Sequence, residues 1–184
     1  VPYQGYDPSG RTGVTVDEVI ARLGEKMVAN GKPAYQAFFT RAVLEQESSE
    51  TADNDALRDA DLEKARNDIE DSVKQLESLI AQPEQSIDET IDSPEKEIEP
   101  FLVASRIYST SARYANEHGD RETAKKYREK AHQFAPTVLE RQPSNLTSYL
   151  LLSKNQQSLQ FSKPLAERDL TAPIQYLKDG LAQI

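Results

Sequence analysis

Between residues 55 and 81, apolar side chains recur only at intervals of three or four positions. The members of this stripe are Leu62, Ala65, Ile69, Val73, Leu76 and Ile80. This spacing places them on one side of an α-helix whose other positions are mostly charged or polar. No part of the chain alternates apolar and polar residues as a half-buried strand would. The sequence therefore predicts an all-α chain with a long amphipathic helix over 55–81.

A helical hairpin is predicted before this long helix, over residues 15–47. Thr15 and Glu18 form a capping box at its start, and the Asn-Gly-Lys-Pro stretch at 30–33 ends its first helix. The second helix is expected to bury one apolar face, made of Tyr35, Phe38, Phe39, Ala42 and Val43. A polar break is expected at 48–55.

The rest of the chain is divided by turn and charge signals. Residues 82–100 form an acidic connector, in which Ser93 and Pro94 are a helix-start signal and Pro100 predicts a bend. A second hairpin is expected over 101–136, with its turn at Gly119 and its end at Pro136. Two further helices follow within 137–184, at about 146–159 and from Thr171. We expect residues 15–184 to form a single all-α domain.

The composition of residues 1–14 predicts a flexible extended arm, because this segment holds three of the seven glycines and two of the ten prolines. Tyr3 and Tyr6 could anchor this arm on the same protein or on a neighbour. The first residue is Val1, which is compatible with the removal of an N-terminal segment and an extracytoplasmic location. The compartment is therefore left open.

Small and aromatic residues surround the turn at Gly119 and Asp120 in a regular pattern. They are Ala112, Ala124, Tyr127, Lys130, Ala131 and Pro136. Residues 105–138 therefore resemble one tetratricopeptide repeat (TPR), a helix–turn–helix unit of about 34 residues. Tyr108, Ser111 and Ala115 depart from the usual pattern of its first helix. Residues 17–46 resemble a fainter copy, and the match is degenerate and non-tandem.

The TPR resemblance implies a non-catalytic module that binds a protein or peptide segment in a groove lined by the first helix of each hairpin. The residues that match this face are Arg106, Ser109, Arg113 and Asn116. Two arginines and an asparagine suit a carboxylate-bearing chain end, because guanidinium binds carboxylate through two parallel hydrogen bonds. A solvated helix face with surface ion pairs is the alternative interpretation of the same residues.

We therefore expect a TPR-like scaffold or adaptor without enzymatic activity. The alternative is a structural or accessory subunit of a larger assembly, docked through its N-terminal arm and long helix. A third hypothesis is a glycan hydrolase or lyase, because residues 42–48 resemble the catalytic helix end of soluble lytic transglycosylases, with Glu47 and Ser48 as the Glu-Ser pair. In lytic transglycosylases the Glu-Ser pair is followed by a characteristic sequence, and that sequence is absent after Ser48 in this chain.

Composition and spacing argue against other functions. The net charge of −9 argues against nucleic-acid binding, and no apolar run approaches the roughly 20 residues of a membrane span. The chain has no cysteine. Glu129 and His132 have the spacing of a di-iron ligand pair, but that site needs a second such pair. A calcium loop that starts at Asp53 would need glycine and glutamate where Arg58 and Lys64 stand. We expect neither metal nor cofactor.

Overall fold

The computed structural model describes residues 16–81, except 31 and 33, and residues 97–184. Regular structure in these ranges consists of α-helices and one short 3-10 turn, without a strand. The helices are α1 (Val16–Ala29), α2 (Ala34–Thr51), α3 (Asp55–Ala81), α4 (Glu99–Glu117), α5 (Arg121–Arg141), α6 (Leu146–Phe161) and α7 (Thr171–Leu181). The prediction of an all-α chain is confirmed. The predicted arm and residues 82–96 of the predicted connector lie outside the described residues.

The chain divides into two compact units, residues 1–94 with α1 to α3 and residues 95–184 with α4 to α7. The sequence predicts one domain over 15–184. The division arises because α2 and α3 bury their apolar faces against each other, while α4, α5 and α6 enclose a separate core. Each unit thus has its own hydrophobic centre.

In the first unit, α3 packs along α2 through the predicted stripe, and α1 packs on α2. The stripe is buried from Leu62 to Leu76, whereas Ile80 is only half-buried. Tyr35 and Ala42 are buried on α2, while its other three predicted face residues (Phe38, Phe39 and Val43) are half-buried. The part of the stripe from Leu62 to Leu76 is therefore covered within the first unit, where α3 packs on α2.

In the second unit, α4 and α5 form the predicted hairpin. Ala112, Ala124 and Ala131 are at most 1% exposed, which lets the two helices approach closely as expected. The Tyr108 ring lies 5.8 Å from Tyr127 and 5.9 Å from Phe134. α6 packs on α5 and α4, and α7 packs on α6.

The turn of this hairpin follows directly from two residues. Gly119 has a φ of +81°, a left-handed conformation that costs glycine little. The Asp120 side chain then accepts a hydrogen bond from the Thr123 amide at 3.0 Å and caps α5. This bond holds the pKa of the Asp120 carboxyl below its ordinary value. The predicted turn is therefore confirmed at both residues.

Three predicted helix ends are wrong. α5 continues through Pro136 to Arg141, because this last turn packs into the core through Val138 and places the Arg141 guanidinium 4.3 Å from the centre of the Phe101 ring. α4 begins at Glu99 and not at the predicted start signal of Ser93 and Pro94, so Pro100 lies in its first turn, where a proline needs no amide hydrogen.

α2 also runs past the predicted break at 48–55 and ends at Thr51. The serines of this stretch are accommodated in the helix, since Ser49 Oγ donates to the Gln46 carbonyl oxygen at 2.6 Å and Ser48 Oγ donates to Asp61 of α3 at 2.7 Å. The break is limited to residues 52–54, after which the Asn54 side chain caps α3 by accepting from the Leu57 amide.

Candidate functional site

A cleft of about 400 Å³ lies between α4, α5 and α6 in the second unit. Its lining residues are Ser109, Thr110, Ala112, Arg113, Asn116, Arg128, Lys154, Asn155 and Ser158. Three of the four α4 residues that the sequence predicts as partner contacts are brought together here. The fourth, Arg106, is exposed on α4 and does not line the cleft. Tyr3 and Tyr6 lie outside the described residues.

Each of the three helices contributes one cation to the cleft: Arg113 from α4, Arg128 from α5 and Lys154 from α6. No aspartate or glutamate lines it, and no acidic side chain of the described ranges forms an ion pair with these three residues. Arg128 is half-buried, and burial lowers the pKa of its guanidinium. The cleft therefore concentrates uncompensated positive charge in a chain whose net charge is −9.

A buried hydrogen-bond network forms the floor of the cleft. Asn155 of α6 is 3% exposed, accepts a hydrogen bond from Ser109 Oγ at 2.7 Å and donates one to Ser105 Oγ at 3.1 Å. Ser105 Oγ in turn donates to the Ala131 carbonyl oxygen of α5 at 2.9 Å. These bonds connect α4, α5 and α6, so they fix the distances between the helices that carry the three cations.

The start of α6 is set by Asn145, whose side chain accepts from the Ser148 amide at 3.0 Å. Asn145 also begins the triplet Asn-Leu-Thr, which has the pattern of an N-glycosylation sequon. Its side chain serves as the helix cap of α6.

Sequence reasoning missed Arg128, Lys154 and Asn155. A usable signal was present on α6, where Ser148, Leu152 and Asn155 are spaced by four and three positions and are all buried. This spacing by four and three positions predicts that Asn155 lies on the inner face of α6.

The first unit contains a buried cluster of two carboxyl groups and one arginine. Arg41 of α2 donates to both carboxylate oxygens of Asp68 on α3, at 2.7 and 2.5 Å, and the side chain of Glu45 lies beside Asp68. Burial raises the pKa of Asp68, and Arg41 opposes this effect. Asp68 and Glu45 are 5% and 7% exposed, so the cluster fastens α2 to α3 in the interior.

The residues behind the enzymatic and metal hypotheses are dispersed. Glu47 is exposed on α2, away from the apolar shelter that raises the pKa of a catalytic acid. Glu129 is exposed and lies 4.0 Å from Lys125, whereas the half-buried His132 ring lies 6.1 Å from that of Tyr176. Within the described ranges, no group of three or more histidine, aspartate or glutamate side chains is arranged to hold a metal ion.

Comparison of the chain with protein-family models, curated proteins and solved structures finds no match. None of the helices that the structure describes combines the length and the apolar character needed to cross a bilayer.

Proposed function

We propose that this chain is a non-enzymatic protein-interaction module, TPR-like in its second unit, that binds an anionic segment of another polypeptide in the cleft between α4, α5 and α6. The observation that carries this proposal is the convergence of Arg113, Arg128 and Lys154 on one cleft without a carboxylate among its lining residues. Guanidinium groups bind carboxylate and phosphate oxygens through paired hydrogen bonds, which makes such a cleft selective for anions.

Exposure supports a polypeptide as the occupant. Arg113, Asn116 and Lys154 are exposed at the mouth of the cleft, whereas Arg128 and Ser158 are half-buried. An extended segment can therefore cross the mouth and direct one anionic group toward Arg128. The polar side chains of Asn116 and Ser158 supply hydrogen-bonding partners for the main chain of such a segment.

The charge of the rest of the chain supports a localised contact. With an excess of nine negative charges overall, long-range attraction of an anionic partner is confined to the neighbourhood of the cleft. We therefore expect association that weakens with added salt and depends on individual cleft residues.

Selection from a pool of random dodecamer peptides on the immobilised chain tests this proposal. We expect the parent chain to enrich peptides with acidic side chains or an anionic chain end, and Arg113→Glu to lose this enrichment. Arg106→Glu is the matched control, because it makes the same change of charge at an exposed position of the same helix outside the cleft. Retention of the same peptides by Arg113→Glu, or equal losses in both variants, would overturn the proposal.

A further inference from the structure

The cleft offers more positive charge and more donors than one carboxylate can use. Arg113 and Arg128 each present five N–H donors, and Lys154 presents three. A carboxylate brings a single negative charge on two oxygens. A single carboxylate would leave two of the three positive charges uncompensated, and Arg128 is half-buried. An occupant with nearly two negative charges fits the cleft better.

We infer that the cleft binds a phosphorylated side chain of the partner polypeptide, an inference that rests on the proposed function. A phosphorylated serine or threonine carries a charge of about −1.5 to −2 at neutral pH and has three strongly accepting oxygens. Three cations from three different helices can approach these oxygens from different sides. Clusters of arginine are a recurrent means of recognising phosphorylated side chains.

The size and the surroundings of the cleft favour one phosphorylated residue in a peptide over a free phosphate ion or a polyanion. A phosphate group fills only a small part of the 400 Å³, and the remaining lining includes the polar side chains of Thr110, Asn116 and Ser158. Such a lining suits the main chain on either side of the modified residue. A long polyanion such as nucleic acid would extend beyond the cleft onto a chain of net charge −9.

The pH dependence distinguishes phosphate from carboxylate. The second pKa of a phosphorylated side chain is about 6, whereas glutamate has a pKa of about 4.3 and stays ionised at pH 5.5. The charged groups that line the cleft are Arg113, Arg128 and Lys154, and no histidine is among its lining residues. Binding of the dianion should therefore weaken about fourfold over this range, while glutamate binding should stay constant.

Three pools of fluorescent dodecamers test the inference on the full chain. They share random flanking residues and carry phosphoserine, glutamate or serine at the central position, and fluorescence anisotropy measures their affinity. We expect the phosphoserine pool to bind at least about tenfold more tightly than the glutamate pool, the equivalent of one additional charge-assisted hydrogen bond. We also expect Arg113→Glu to lose at least this factor, and Arg106→Glu to lose less than about threefold.

The outcomes separate the inference from the proposed function. Equal affinity for the phosphoserine and glutamate pools, both lost in Arg113→Glu, would refute phosphate recognition and leave the proposed function standing. Absence of binding in all three pools would refute both. Arg128→Gln and Lys154→Gln provide independent variants, and unchanged affinity for the phosphoserine pool in both would overturn the inference. Inorganic phosphate should displace the phosphoserine pool from the chain. If it does not do so at concentrations far above that of the peptide, phosphate recognition by the cleft is refuted.

Discussion

Replacement of Asn155 by alanine should loosen the second unit and widen the cleft. The amide of Asn155 makes two buried hydrogen bonds, with Ser109 and Ser105, each of which contributes about 1 kcal/mol. Neither serine loses its only acceptor, since Ser105 Oγ still donates to the Ala131 carbonyl oxygen and Ser109 Oγ lies 2.8 Å from the Ser105 carbonyl oxygen. The penalty for an unsatisfied buried donor is thus avoided. With the small cavity that remains, we expect a loss of about 2–3 kcal/mol in the free energy of unfolding.

Hydrogen–deuterium exchange of α4 and α6, analysed by mass spectrometry, measures this loss within the unit concerned. The control is Gln157→Ala, two residues further along α6 and exposed, which should change stability by less than about 0.5 kcal/mol. A loss for Asn155→Ala no greater than that of the control would refute the argument that this network fastens the three helices. A loss above about 4 kcal/mol would mean that the serines do become unsatisfied.

Three further predictions concern other parts of the fold. Gly119→Ala should lower the thermal stability of the second unit by about 1–2 kcal/mol, because alanine is strained at a φ of +81°; an unchanged melting temperature would contradict this. Gly24→Ala should speed amide exchange in α1, because the new Cβ would lie 2.7 Å from Cδ of Arg41, a side chain that is held by Asp68. The overpacking costs about 1–3 kcal/mol, which exceeds the gain of about 1 kcal/mol in helix propensity. Slower amide exchange in α1 would refute this prediction. Burial lowers the pKa of His132 below its ordinary 6.5, so the unfolded chain binds the proton more readily than the folded chain. The free energy of unfolding should therefore fall as the pH decreases below about 6.5. Urea unfolding measured over this pH range should show no such loss for His132→Gln.

Much of the fold follows from periodicity and turn chemistry. The bounds of α3 match the predicted 55–81, and a stripe spaced by three and four residues defines its buried side. The turn at Gly119 and Asp120 was equally readable, because a left-handed residue and a helix cap each require particular side chains. Pro136 was misleading, since burial of Val138 in the next turn outweighs the local effect of the proline.

The candidate site was only partly predictable. Ser109, Arg113 and Asn116 share one face of α4, so local spacing was sufficient to group them. Lys154 and Asn155 lie on α6, more than 35 positions further along the chain than Asn116, and their proximity depends on how α6 packs against α4 and α5. The same limit applies to Asp68, a charged residue beside the apolar stripe of α3, whose burial depends on Arg41 of another helix.

The most direct test of the cleft is an NMR titration that follows the arginine side-chain Nε–Hε resonances of the ¹⁵N-labelled chain. N-acetyl-phosphoserine-N-methylamide serves as the minimal ligand, at constant pH and ionic strength. We expect the resonances of Arg113 and Arg128 to shift together with one dissociation constant, while that of Arg106 stays in place. Unmoved resonances for Arg113 and Arg128, or an equal shift at Arg106, would contradict the claim that α4, α5 and α6 build one anion-binding cleft.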